Sequence, residues 1–355
     1  MTAPTATAAT GTLPSAVPYP PSALDRLYAR IERLPAGGWW VYGLVFAAMV
    51  AYHHVALWAT GSRPFGSLSL DGIVGLAYGP YFLAALHYVS GVAGRAMAAF
   101  RPASGMSDAE FARRRYELLT LPAGRLWIPL ALGSIVALGS DLSASPAALA
   151  PYGGTREVAL VVFLPASVFG YGMASIAAWQ TIRQLRHVGW LHRDATAIDL
   201  YETGPIHAFS RLTMQIGLGY VFVAYFTLIA NATFQIGNAP SLAAMAAAII
   251  VGVACFIVPL WGIHGRLMEK KGELVRGVNA RAEALQAELY RRVDTSELAA
   301  VADVTEALAG IRATREEIGR LPTWPWPREV LRGFVSAVLL PVVVFLITRY
   351  VGELR

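Results

Sequence analysis

The chain has 355 residues, of which 55% are hydrophobic and only 15% charged, against about 25% charged in an average soluble domain. That composition excludes an ordinary water-soluble fold, and the single cysteine, Cys255, excludes a disulfide framework or a cysteine-rich metal site within one chain. The formal net charge of +6 is confined to segments between apolar runs, which points to a bilayer as partner and not to nucleic acid.

Residues 1–25, MTAPTATAATGTLPSAVPYPPSALD, are rich in Ala, Thr and Pro and almost uncharged. They lack the basic start and apolar core of a secretory signal and read as a disordered cytosolic tail. Seven uncharged runs follow: Trp39–Gly61, Gly72–Gly94, Leu126–Ser140, Val158–Ile182, Leu212–Thr233, Leu242–Ile263 and Gly333–Thr348. About 20 apolar residues cross the roughly 30 Å of hydrocarbon. The third and seventh runs are short. The third is expected to reach back through Leu118–Pro122 with Arg125 snorkelling, and the seventh through Val330 and Leu331 with Arg332 doing the same. The expected fold is all-α, a polytopic membrane helix bundle of seven transmembrane helices. Residues 26–263 hold the first six with their loops, and 328–355 hold the seventh with a short outer tail.

Lysine and arginine resist translocation, so their placement orients the bundle. Sorted onto alternate sides of the runs, only Arg63, Arg156, Arg349 and Arg355 of the 29 basic residues fall on one side. The other side is therefore cytosolic, with the amino terminus inside and the carboxy terminus outside.

The segment 264–327 keeps helical periodicity after leaving the sixth run. Leu267, Leu274, Val278, Leu285 and Leu289 share one stripe, and Leu298, Val301, Val304, Leu308, Ile311, Ile318 and Leu321 share another. Asp294, Thr295 and Ser296 lie between them as candidate caps. This predicts a cytosolic helical hairpin in which the sixth helix runs on, turns, and returns to end before Pro322. The inner loop 183–211 is expected to dock on it. A two-helix hairpin buries too little to stand alone, so its stripe needs the other cytosolic segments or a second subunit.

Between hairpin and seventh helix stands LPTWPWPRE, residues 321–329. Pro322 ends the returning helix, Pro325 extends the residue before it, and Pro327 suits the first helical turn. Trp324 and Trp326 suit the headgroup belt. Trp324, Pro325, Trp326 and Pro327 thus read as a rigid joint and interfacial anchor.

Inside the runs there is no Asp or Glu, which disfavours a carboxylate-driven carrier. Histidine is the remaining polar candidate. His53, His54 and His87 fall within runs, and His207 and His264 near the cytosolic face; all five read as interhelical hydrogen-bonding groups. His53 and His87 differ in depth by about 13 Å, so they do not bracket a haem, and no cofactor or metal is expected. Pro80, Pro129, Pro165, Pro259 and Pro341 interrupt the runs as kinks or hinges. No nucleophile elbow, phosphate loop or metalloprotease motif occurs, so no enzymatic activity is expected.

Seven helices, an inside amino terminus, an outside carboxy terminus, and the longest cytosolic helical region just before the last helix resemble the insect olfactory and gustatory receptor-like superfamily of seven-helix ion channels. The resemblance rests on topology over residues 39–350. It implies a homo-oligomer, a tetramer held by the cytosolic hairpin, in which the last helix lines a cation pore through Ser336, Leu340, Val344 and Thr348. Two other readings stay open: a membrane scaffold or sensor that recruits a cytosolic protein through 264–327, and a small-solute transporter not coupled to protons.

Overall fold

The computed structural model describes residues 17–68, 73–143, 156–194, 200–201, 204–234, 239–296 and 301–353, with side chains except at 159, 227–234, 239–242, 244, 341–342, 344–346, 348–349 and 351–353. Among these residues all regular structure is helical, apart from one isolated antiparallel bridge between Pro21 and Pro122.

The described chain opens with a docked segment. Helix α1 (Ala23–Ile31) starts at a reciprocal capping box: the Ser22 hydroxyl accepts from the Asp25 amide, and the Asp25 carboxylate accepts from the Ser22 amide at 2.8 Å. A tight turn over Pro35–Gly38 leads into α2 (Trp40–Ala59). Gly38 adopts φ +67°, and a Cβ there would run into the backbone of Ile31, so only glycine closes this turn. The one-turn α3 (Ile73–Leu76) precedes α4 (Tyr78–Phe100), and α5 (Asp108–Leu119) is a polar surface helix capped by Ser107.

Helix α6 (Trp127–Leu142) is followed by α7 (Arg156–Asp194), α8 (Ala208–Phe234), α9 (Ala239–Asp294), α10 (Val301–Arg320) and α11 (Arg328–Glu353). Each of the seven apolar runs falls on helix, the second divided between α3 and α4. Five helical segments among the described residues are long and apolar enough to cross a membrane: Pro35–Ala59, Ile73–Ala103, Ala123–Leu142, Arg156–Asp194 and Met245–Asp294. The fifth and seventh runs lie on α8 and α11, each partly outside the described side chains.

Two expectations are corrected. The third run does not reach back through Leu118–Pro122, because the chain breaks at Thr120–Pro122 between α5 and α6; proline cannot continue the ladder there. Pro80 and Pro129 sit in the first turns of α4 and α6, where the missing N–H costs nothing. Pro165 and Pro259 do lie inside α7 and α9, and both helices continue through them.

Small residues set the closest crossings. A Cβ on Gly217 of α8 would lie 2.6 Å from the Gly252 carbonyl oxygen of α9, and one on Gly252 would lie 2.8 Å from the Gly217 carbonyl oxygen. The main buried cluster stands beside this crossing and joins Met97 and Phe100 of α4, Val188 and Leu191 of α7, Phe209 and Leu212 of α8, and Phe256 and Leu260 of α9.

At 56 residues α9 is about 84 Å long, far beyond the roughly 30 Å of a bilayer core. Its charged second half projects past the hydrocarbon and turns at Thr295 and Ser296, the latter at φ +60°. Helix α10 then returns along it. Leu267 and Val278 of α9 and Val304, Leu308 and Ile318 of α10 are buried, so the two stripes cover each other.

Candidate functional site

The returning helix α10 ends at Arg320, and its last carbonyls have no partner within the helix. Lys271 of α9 supplies one: its Nζ donates to the Gly319 oxygen at 2.7 Å and to the Leu321 oxygen at 2.9 Å. A cation at a helix carboxyl end also meets the favourable end of the dipole. About two turns earlier, His264 Nδ1 donates to the Thr323 oxygen at 2.8 Å, and its ring stacks on Trp324 with centroids 4.2 Å apart and planes at 15°. From the segment before α8, His207 Nε2 donates to the Trp324 oxygen at 3.3 Å. Burial lowers the His207 pKa below the ordinary histidine value, opposed by its bond to the Trp324 carbonyl. Four consecutive-side carbonyls, 319, 321, 323 and 324, are thus clasped by three basic side chains from two other elements.

The joint then turns inward. Trp326 is 8% exposed against 51% for Trp324, so of the pair expected at the headgroups only Trp324 faces outward. Trp326 packs on Phe256 at 5.2 Å, and Phe256 stacks on Phe334 of α11 at 4.1 Å and 22°. The two rings stack on each other at 5.7 Å, with Trp326 on the inner side against Phe256 and Trp324 on the outer side against His264. Pro325 is buried as well, and the Pro327 carbonyl accepts the first bond of α11 from the Leu331 amide at 3.1 Å. A continuous path of contacts therefore runs from the hairpin base through the joint into α11.

The segment 183–211 does meet the hairpin base, but its first part, to Asp194, is the end of α7 and not a loop. Arg266 of α9 donates to the His192 oxygen and, at 3.0 Å, to the Arg193 oxygen, while Leu200 and Ile206 join Ile263 and Leu267 in the core. His192, which the sequence reading passed over, is buried and caps itself on the Val188 oxygen at 3.0 Å.

The remaining histidines behave differently. His87 lies between the rings of Tyr28 (4.8 Å, 6°) and Trp39 (5.0 Å, 17°), with Nδ1 2.6 Å from the Tyr42 hydroxyl and Nε2 3.1 Å from Glu32. It ties α4 to the docked amino-terminal segment. His54 bonds within its own helix, Nδ1 to the Val50 oxygen at 2.8 Å, and His53 is buried with its ring 5.5 Å from Phe163. Of the pore candidates, Ser336 and Leu340 are exposed on α11; Val344 and Thr348 lie outside the described side chains. Among the described residues no three His, Cys, Asp or Glu side chains converge as metal ligands.

The amino-terminal segment forms a second clasp. Arg183 donates to the Tyr19 hydroxyl and the Glu117 oxygen, both at 2.9 Å, and to Gln180 at 2.8 Å. Asp25 accepts from the Leu121 amide at 3.1 Å. Burial pushes the Asp25 carboxyl above the usual carboxylate value, opposed by hydrogen bonds from Ser22 and Leu121. Residues 17–25 are thus part of the folded body, whereas residues 1–16 of the expected tail lie outside the described residues.

Sequence reasoning also missed a cavity of about 390 Å³ between α4, α7 and α8, walled by Tyr81, Phe82 and Phe222 with Gln180, Thr181 and Gln184 as polar members. The Gln184 Oε1 is buried without a hydrogen-bond partner. The i, i+4 spacing of Gln180 and Gln184 at the end of the fourth run was the signal available in the sequence.

Long apolar helices carrying a charged helical extension define a multi-pass membrane protein. Comparison with protein-family models, with curated proteins and with solved structures finds no match to this chain.

Proposed function

We propose that the chain crosses the membrane seven times, amino terminus inside and carboxy terminus outside, and assembles into a homo-oligomeric ion channel whose conducting path is lined by α11. The hairpin, acting through the 321–327 joint, sets the position of that helix. The expected topology resembles that of the insect chemoreceptor-like channels, which supports this reading and suggests a tetramer.

One observation carries it. Helix α11 is held along a single face, by Phe334 on Phe256 and by the Tyr225 hydroxyl donating to the Ala337 oxygen at 3.0 Å. Ser336, Leu340, Val343 and Ile347 stay uncovered on the opposite side. A helix at the edge of one subunit, clamped at its base and bare on an apolar face with one hydroxyl, suits a pore gated by dewetting.

Reconstitution tests it. Purified protein in planar bilayers should give unitary currents, and Leu340→Ser should raise open probability by removing an apolar constriction. A monomeric particle without conductance sinks the proposal. A scaffold reading is favoured by Tyr290 and Val293, exposed near the hairpin tip; it predicts instead that Tyr290→Ala abolishes capture of a cytosolic partner and leaves any current intact.

A further inference from the structure

The carboxy-terminal third of α7 carries Arg183, Arg186 and Arg193 just past the end of its apolar run. Its neighbour α9 has no charged residue between Ala239 and Gly265. The register of the two helices is fixed by Gly189, which faces the Pro259 carbonyl, and by Arg266, which binds the His192 and Arg193 carbonyls. Residues 182–193 of α7 are therefore level with an uncharged stretch of α9. Between them lies a cavity of about 900 Å³ with Arg114, Arg183, Arg186, Arg193 and His187 in its wall and no carboxylate.

The arginines are not equally engaged. Arg183 is consumed by the amino-terminal clasp. Arg114 lies over the Trp190 ring at 3.9 Å and donates Nη1 to Glu117 at 3.1 Å, but its Nε is buried without a partner. Glu117 already serves Arg113 as well, at 3.1 Å. Among the described residues neither Arg186 nor Arg193 has a side-chain ion pair or hydrogen bond. The opposite wall is apolar: Val251, Ala254, Cys255 and Val258, with Ile182 at one end. Ile182, Val251 and Val258 are also exposed on the outer surface, Val258 to 68%.

We propose that this cavity is a binding site for an anionic phospholipid, its phosphodiester held by Arg186, Arg193 and Arg114 and one acyl chain lying along Ile182, Val251 and Val258. Guanidinium groups recognise phosphate oxygens bidentately, and basic pockets between membrane helices are suited to lipid headgroups. The apolar wall, continuous with lipid-facing side chains, selects a lipid over a free anion. The site does not depend on whether α11 forms a pore.

Native mass spectrometry of the full chain, delipidated and then offered equal phosphatidylglycerol and phosphatidylcholine, tests the assignment. The wild type should retain phosphatidylglycerol preferentially, and Arg186→Gln with Arg193→Gln should weaken that retention by about thirty-fold. Arg281→Gln with Arg315→Gln, the same charge change on the hairpin, should leave it unchanged. Ala254→Trp, which fills the apolar wall without altering charge, should also reduce it. Equal retention of the two lipids by the wild type overturns the proposal, whatever the variants do. So does an equal loss in the hairpin control, or displacement of phosphatidylglycerol by inorganic phosphate alone.

Discussion

Lys271→Met separates the clasp from the charge around it. The substitution keeps the aliphatic stem but removes both hydrogen bonds to the Gly319 and Leu321 carbonyls. A hydrogen bond from a charged donor contributes about 1.5–3 kcal/mol when shielded; here water reaches part of the site, so about 1 kcal/mol for each is the fitting figure. The loss of about 2 kcal/mol corresponds to roughly a thirty-fold shift in the local opening equilibrium. Hydrogen exchange read by mass spectrometry in nanodiscs measures that equilibrium through the amides of the last turn of α10 and of Leu321, Thr323, Trp324 and Trp326. Protection there should fall about thirty-fold while the membrane parts of α7 and α8 keep theirs. Lys270→Met is the control, since among the described residues Lys270 pairs only with the exposed Glu273 at 2.9 Å, and such pairs contribute little. If Lys271→Met leaves protection within about three-fold of wild type, or if Lys270→Met loses as much, the clasp is not what holds the joint.

Three more outcomes follow from the same geometry. Gly217→Ala or Gly252→Ala should destabilise the α8–α9 crossing by about 1–3 kcal/mol through overpacking, seen as a lower unfolding midpoint, whereas Gly43→Ala, with nothing within 4 Å of its built Cβ, should not. Trp326→Ala should cost about 3–5 kcal/mol as a buried aromatic truncation, and Trp324→Ala distinctly less because that ring is half exposed; scanning calorimetry in detergent ranks the two. The lowered pKa of His207 means its contribution is complete above the ordinary value of 6.5 and is lost as pH falls through the folded value. Protection factors in the Trp324 region, taken against the intrinsic exchange rate at each pH, should therefore fall on acidification below about pH 6.5, and His207→Gln should flatten that part of the profile.

The sequence alone determined the helical class, the placement of every apolar run on a helix, and the hairpin with its turn near Thr295. Those properties follow from local composition and from a 3.6-residue period that any reader of the chain can count. It also marked 321–327 as a joint, since three prolines restrict the backbone wherever they stand. What tertiary structure decided is which groups meet across long separations. That Lys271, and not Lys270 one residue earlier, reaches the α10 carbonyls depends on the rotation of α9 against α10. That Trp326 turns inward onto Phe256 while Trp324 stacks on His264 depends on where α9 passes the joint. Likewise Arg183 finds a hydrogen-bond partner 164 residues away, while Arg186 faces an uncharged helix. Composition fixes how many charges and aromatic rings a membrane protein carries; only the packing of its helices fixes which of them find partners inside the chain.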